Sequence, residues 1–216
     1  EDGENATRTE LGYRRRRPET DSDGEDKIYF HYSPEIEQTF AEEIALGGEP
    51  ARAFMAHARG IWNAAYKAAK KVTREIDESY PGFHDAFCPP GEEPIMKLRF
   101  LVYKKVPKGS LLGVGHYDRG TVTLALAESA PGLRIGRDNE TLKVVTREPG
   151  EAVVMAGTVM RDFEPDPAKL PLSWHDIQQD RHACLNKTDA RWAIIALLNS
   201  KDAAEAPRLC CTHHPE

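Results

Sequence analysis

His116 and Asp118 lie two residues apart in GVGHYDRGTVTLAL, the stretch from Gly113 to Leu126. An imidazole nitrogen and a carboxylate oxygen both ligate divalent transition metals. One further histidine would complete the two-histidine, one-carboxylate set that holds non-haem Fe(II) and leaves coordination positions open. The Val, Thr and Leu that follow favour a strand, and residues two apart on a strand share a face, so His116 and Asp118 project together. Gly113, Gly115 and Gly120 leave room around them. A histidine and an aspartate at a strand end also make an ordinary hydrogen-bonded pair, and so short a pattern does not choose between the two roles by itself.

The elements that would position this pair divide the chain into four segments. Residues 1–32 form a charged arm in which RRRR (Arg14–Arg17) precedes ETDSDGED. Few large apolar residues occur before Lys27, so this part is expected to be extended or partly disordered. Residues 33–94 are a helical support. Ser33-Pro34 opens a helix that runs to Leu46 and stops at Gly47-Gly48, and a longer helix spans about Pro50 to Ser79. Its Phe54, Ala58, Ile61, Trp62, Ala65, Ala69, Val72 and Ile76 recur at steps of three and four, one apolar stripe suited to covering a sheet. Residues 95–200 read as strands. In MKLRFLVYKKV, Leu98, Phe100 and Val102 alternate with Arg99, Leu101 and Tyr103. Further strands are expected at 120–127, 132–136, 141–146, 152–156, 172–179 and 191–198. Helices followed by such a run predict an α+β chain with an antiparallel sandwich or barrel as its core. Residues 201–216, ending in CCTHHPE, are a tail without a turn to close a metal site.

Composition narrows the function classes. A chain of 216 residues fits one domain that needs no disulfide, and a net charge of −6 offers no basic footprint for nucleic acid. The partner expected is a small molecule. No apolar run reaches the roughly 18 residues of a membrane span, and no secretory segment is recognisable, so a cytoplasmic protein with reduced thiols is expected. Composition carries no information on oligomeric state.

The succession GHYDRGTVTLAL, PGLRIG, TLKVVTREPGEAVVMAGTVM, LPLSWHDI and ARWAIIALLN resembles the iron(II)/2-oxoglutarate-dependent oxygenases. The likeness is to the branch of isopenicillin N synthase and the plant-type dioxygenases, and it extends over about Met96 to Asn199. It implies a double-stranded β-helix, or jelly roll, with the helices packed on its outer face and the metal at its open mouth. His116 and Asp118 match the first two iron ligands. The distal ligand is His175 or His182. LSWHDI around His175 fits the family's local pattern and puts Ile177 on the same face, whereas the nine-residue step from His182 to Arg191 fits the family spacing. The local pattern favours His175. Arg191 matches the arginine that clamps the distal carboxylate of 2-oxoglutarate, and Tyr103 matches a tyrosine that helps bind it.

Two departures stand out. Ala193 replaces a serine that donates a second hydrogen bond to the co-substrate, and the module that precedes this core in relatives is not recognisable upstream. The resemblance implies an enzyme using Fe(II) and 2-oxoglutarate, with ascorbate as a reductant, that oxidises an unactivated C–H bond. Because Asp118 is present, hydroxylation is the expected outcome. Two alternatives remain at this level: a jelly-roll binding module without turnover, and a cupin-like metalloprotein that does not use 2-oxoglutarate.

Overall fold

The computed structural model of the chain describes residues 11–17, 25–92, 94–107, 109–179 and 186–199. Among them are ten strands: β1 (Gly12–Arg16), β2 (Lys27–Tyr32), β3 (Met96–Lys104), β4 (Leu111–His116), β5 (Val122–Glu128), β6 (Leu133–Gly136), β7 (Lys143–Val144), β8 (Val153–Ala156), β9 (Trp174–Gln178) and β10 (Asp189–Leu198). They form two antiparallel sheets, a larger one ordered β1-β2-β3-β10-β5-β8 and a smaller one ordered β4-β9-β6-β7. From β3 onward the chain passes repeatedly from one sheet to the other, and only β6 and β7 are successive strands of the same sheet.

Among the described residues four helices precede β3: α1 (Ile36–Thr39), α2 (Ala41–Leu46), α3 (Gly48–Asp77) and α4 (Phe83–Phe87). The single helix expected over Ser33–Leu46 is broken at Phe40, whose φ of −120° and ψ of 33° leave the helical region while its ring packs against the core. α3 covers the outer face of the larger sheet. Its Ala58, Trp62, Ala65 and Ala69 pack with Leu98, Val122, Leu124, Ala196 and Leu198, and the Trp62 indole N–H donates to the Met96 carbonyl at 3.2 Å. The run of alanines lets the helix approach the strands closely, and burying this stripe supplies the hydrophobic drive at about 25 cal/mol per Å². The other face of the larger sheet presents Leu101, Ala125, Met155 and Ala193 to Leu112, Leu133 and Ile177 of the smaller one, so a second core fills the space between the sheets.

The charged arm expected over residues 1–32 contributes two strands to the larger sheet. β2 pairs along β3, with Tyr29 turned to the core between the sheets and Tyr32 to the core under α3. β1, with its arginines, occupies the sheet edge, where solvated charge discourages pairing with another chain. The sequence reading weighed the charge and missed the KIYFHY alternation beside it. No helix among the described residues is long and apolar enough to cross a membrane.

Candidate functional site

His116 is the last residue of β4 and lies directly across from His175 of β9. Opposite residues of an antiparallel pair place their side chains side by side, and the two imidazole centroids are 4.5 Å apart. Asp118 joins them from the loop after β4. The expectation of one strand carrying both His116 and Asp118 is corrected here, because β4 ends at His116 and β5 begins at Val122. The loop keeps the alternation all the same: Tyr117 turns away to stack edge-on against Trp174, while His116 and Asp118 turn inward. The Asp118 carboxylate accepts the Thr123 hydroxyl at 2.5 Å and lies 3.6 Å from His116 Nε2 and 3.8 Å from His175 Nε2.

The three offered ligand atoms lie within 4.8 Å of one another, close enough to hold one metal ion. Both imidazoles are oriented from behind. His116 Nδ1 is 2.8 Å from the Val114 carbonyl and His175 Nδ1 is 3.0 Å from the Ser173 carbonyl, so each ring donates there and turns its Nε2 toward Asp118. A ligand histidine that donates its other N–H to a carbonyl is the arrangement metal centres use to fix the tautomer. Two glycines permit the packing. A Cβ on Gly115 would lie 2.7 Å from the Trp174 ring, and one on Gly157 would lie 2.1 Å from the Gly120 carbonyl oxygen and 2.9 Å from that of Asp118. Gly157 and Thr158 donate backbone hydrogen bonds of 2.8 Å to the Thr121 and Asp118 carbonyls, clamping the loop that carries the carboxylate.

Protonation follows from this packing. Burial disfavours the charged form of Asp118, but the close approach of His116 and His175 and the hydrogen bond from the Thr123 hydroxyl outweigh it and hold the carboxyl well below the usual range. Burial also disfavours a charged His116, yet its contact with Asp118 and the Val114 carbonyl raises its pKa above the ordinary value. For His175 burial prevails and lowers it.

Arg191 lies at the other end of the same cavity between the sheets. It is 2% exposed. Its Nη2 meets Glu128, whose other oxygen is 3.4 Å from Arg147. Its Nε and Nη1 are buried and have no hydrogen-bond partner. A guanidinium with two N–H groups unspent in a low-dielectric cavity is set up to take an anion. Tyr103 is its neighbour on β3, with the ring centroid 5.6 Å from the guanidinium carbon and burial pushing the phenol up to about 12. Ala193 also lines the cavity and presents only a methyl group.

Of the residues read from sequence, His116, Asp118, His175, Arg191 and Tyr103 all line this one cavity. His182 lies outside the described residues. Sequence reasoning missed Glu128, which ends β5 opposite Ala193, and the pair Glu25–Lys27 that enters from β2 and the residues before it. It also passed over Arg99, although the alternation in β3 had already put Arg99 on the inward face with Tyr103.

No protein-family model matches the sequence, and no curated protein matches it significantly. Solved structures do. Full-length Neurospora crassa T7H in complex with alpha-KG and 5-formyluracil aligns with a TM-score of 0.65 at 18% identity, covering 88% of this chain and 60% of that one. The 2-oxoglutarate complex of AtDAO1, dioxygenase for auxin oxidation 1 of Arabidopsis thaliana, gives 0.61 at 21%, covering 88% and 67%. JOX2 in complex with 2OG, Fe and JA gives 0.63 at 20%, covering 90% and 56%. The chain therefore shares its fold with structures solved in complex with 2-oxoglutarate, and it spans about 60% of the length of T7H.

Proposed function

We propose that this chain is a non-haem Fe(II)- and 2-oxoglutarate-dependent dioxygenase that hydroxylates an unactivated C–H bond of a small organic substrate. In this reading residues 95–200 are a double-stranded β-helix, extended at one edge by β1 and β2, and the alternation of successive strands between the sheets supports it. His116, Asp118 and His175 hold the iron, and Arg191 with Tyr103 holds the far carboxylate of 2-oxoglutarate. The single observation that carries the reading is one cavity with three metal-ligating side chains at one end and a buried arginine with two unpaired N–H groups at the other.

When bound, Fe(II) with 2-oxoglutarate supplies the oxidation, taking up dioxygen and converting the oxo acid to succinate and carbon dioxide as the substrate gains oxygen. The chain's own share is positional. The Val114 and Ser173 carbonyls orient both imidazoles through Nδ1 so that Nε2 faces the metal position, Thr123 and the clamped loop fix Asp118, and Arg191 offers a paired donor set where a carboxylate is to lie. Around Arg191, which is buried, the low dielectric strengthens such an interaction.

The test is anaerobic addition of Fe(II) and then 2-oxoglutarate, followed by visible spectroscopy for the metal-to-ligand charge-transfer band, and after admission of oxygen by assay for succinate. A 2-oxoglutarate-dependent band and slow succinate formation without the primary substrate are expected. Iron binding with neither response overturns the reading and leaves a metalloprotein or binding module on this fold.

A further inference from the structure

The charges that line the cavity are equal in number but not paired one to one. Glu25, Asp118 and Glu128 face Lys27, Arg99 and Arg191. Lys27 is spent on Glu25, and Glu128 is shared by Arg191 and Arg147. Asp118 is engaged by the two histidines and Thr123. Arg99 has no carboxylate within ion-pair distance among the described residues. Its Nε donates to His31 Nε2 at 2.6 Å, and its guanidinium lies over the Tyr29 ring, 5.2 Å from the centroid. A neutral imidazole and an aromatic face orient a guanidinium and soften its desolvation, but they do not neutralise it. The four N–H groups on its Nη atoms remain for a ligand.

Register fixes where this cation stands. Across the larger sheet, Arg99 is level with Ile195 and Ala125, whereas Tyr103 is level with Arg191. Four residues of strand separate the two levels, roughly 13 Å. Thr123, which holds Asp118, is level with Leu197, one inward position beyond Ile195. Arg99 therefore stands at the metal end of the cavity, away from the arginine assigned to the co-substrate. Leu101, Ala125, Leu133, Met155, Ile177 and Ile195 supply apolar wall around and below it.

Building on the oxygenase reading, we propose that Arg99 docks a carboxylate of the primary substrate, a small monoanionic acid with an apolar body. The two Nη groups match a carboxylate edge in a bidentate fork. A dianionic phosphate would call for a second free cation, and Lys27, the remaining cation of the lining beside Arg191, is already paired with Glu25. The carboxylate fixes one end of the acid beside the metal centre, so that a carbon of its apolar body, rather than the carboxylate itself, is presented for oxidation.

The experiment uses acid and amide pairs of matched shape, hexanoate with hexanamide, phenylacetate with phenylacetamide, and naphthylacetate with naphthylacetamide. Each is titrated calorimetrically into the full chain loaded anaerobically with Fe(II) and saturating 2-oxoglutarate. At least one acid is expected to bind about 10-fold or more tighter than its amide, the scale of one charge-assisted hydrogen-bond pair. Arg99→Gln removes that preference and Arg99→Lys keeps part of it, while the 2-oxoglutarate affinity read from the charge-transfer band moves less than about 3-fold. Equal binding of acids and amides, no acid binding below about 10 mM, or a preference that survives Arg99→Gln overturns the proposal. So does a preference lost in Arg191→Ala in place of Arg99→Gln. Should Arg99→Gln not fold, the wild-type acid-to-amide ratio and the Arg99→Lys variant decide the matter. The two readings fail separately. A normal band without an Arg99-dependent acid preference sinks the substrate subsite alone, and an Arg99-dependent preference without any band sinks the oxygenase reading and keeps the anion subsite.

Discussion

Replacing Arg191 by alanine tests the link between the cavity's two ends. Two buried N–H groups, on Nε and Nη1, have no partner, while Nη2 already serves Glu128. Hydrogen bonds to charged groups contribute about 1.5–3 kcal/mol each, so a carboxylate taking both would gain about 3–6 kcal/mol. The Glu128 carboxylate beside the site repels an incoming anion, which puts the expected loss in the lower half, about 3–4 kcal/mol or roughly 10²–10³ in Kd. Fe(II) affinity is expected to stay within about 3-fold, because six strand residues separate Arg191 from Leu197, the level of the Thr123 that holds Asp118. Arg191→Lys restores the charge without the fork and is expected to recover only part of the loss. Anaerobic titration of 2-oxoglutarate into the iron-loaded protein measures these values, with thermal unfolding to show that each variant is folded. Glu128→Gln is the counter-test. If Arg191 serves only its ion pair with Glu128, both substitutions destabilise the fold and neither changes the 2-oxoglutarate Kd. An unchanged Kd in folded Arg191→Ala refutes the clamp.

Three further outcomes follow from the site. His175→Ala is expected to abolish tight Fe(II) binding, whereas His182→Ala retains it to within about 10-fold to 100-fold; calorimetry showing the reverse assigns the distal ligand to His182. Fe(II) affinity is expected to fall as pH drops through the raised pKa of His116, since a proton on Nε2 competes with the metal, while His175, with its lowered pKa, adds no competition until lower pH. Proton release on metal binding, measured in buffers of different ionisation enthalpy, checks this, and a pH-independent affinity between about pH 6 and 8 counts against it. Gly157→Ala is expected to displace the Asp118 loop, because the new Cβ would lie 2.1 Å from a backbone oxygen, and to weaken Fe(II) binding at least 10-fold with the sheets intact by circular dichroism; full metal affinity in that variant removes the clamp from the account.

What the residues alone determined was local. The two-residue alternation in β3 put Arg99, Leu101 and Tyr103 on one face and Leu98 and Phe100 on the other, and the three-to-four spacing in α3 picked out Ala58, Trp62, Ala65 and Ala69 as the covering stripe. Both periods come from backbone geometry and are written in adjacent residues. The same reasoning put Ile177 on the inward face with His175, as observed. It went wrong where a strand ended, because a loop and not a continuous strand delivers Asp118, and where an alternating apolar segment, KIYFHY, sat beside a charge run. The tertiary structure decided what depends on register between distant strands. His116 meets His175 because β4 pairs with β9, Tyr103 meets Arg191 because β3 pairs with β10, and Glu128 reaches Arg191 because β5 lies on the other side of β10. A shift of one residue in any of these ladders would turn every side chain of the strand to the opposite face. That register is set by the packing of both sheets at once, through contacts between residues far apart in the chain, so no short window of sequence contains it.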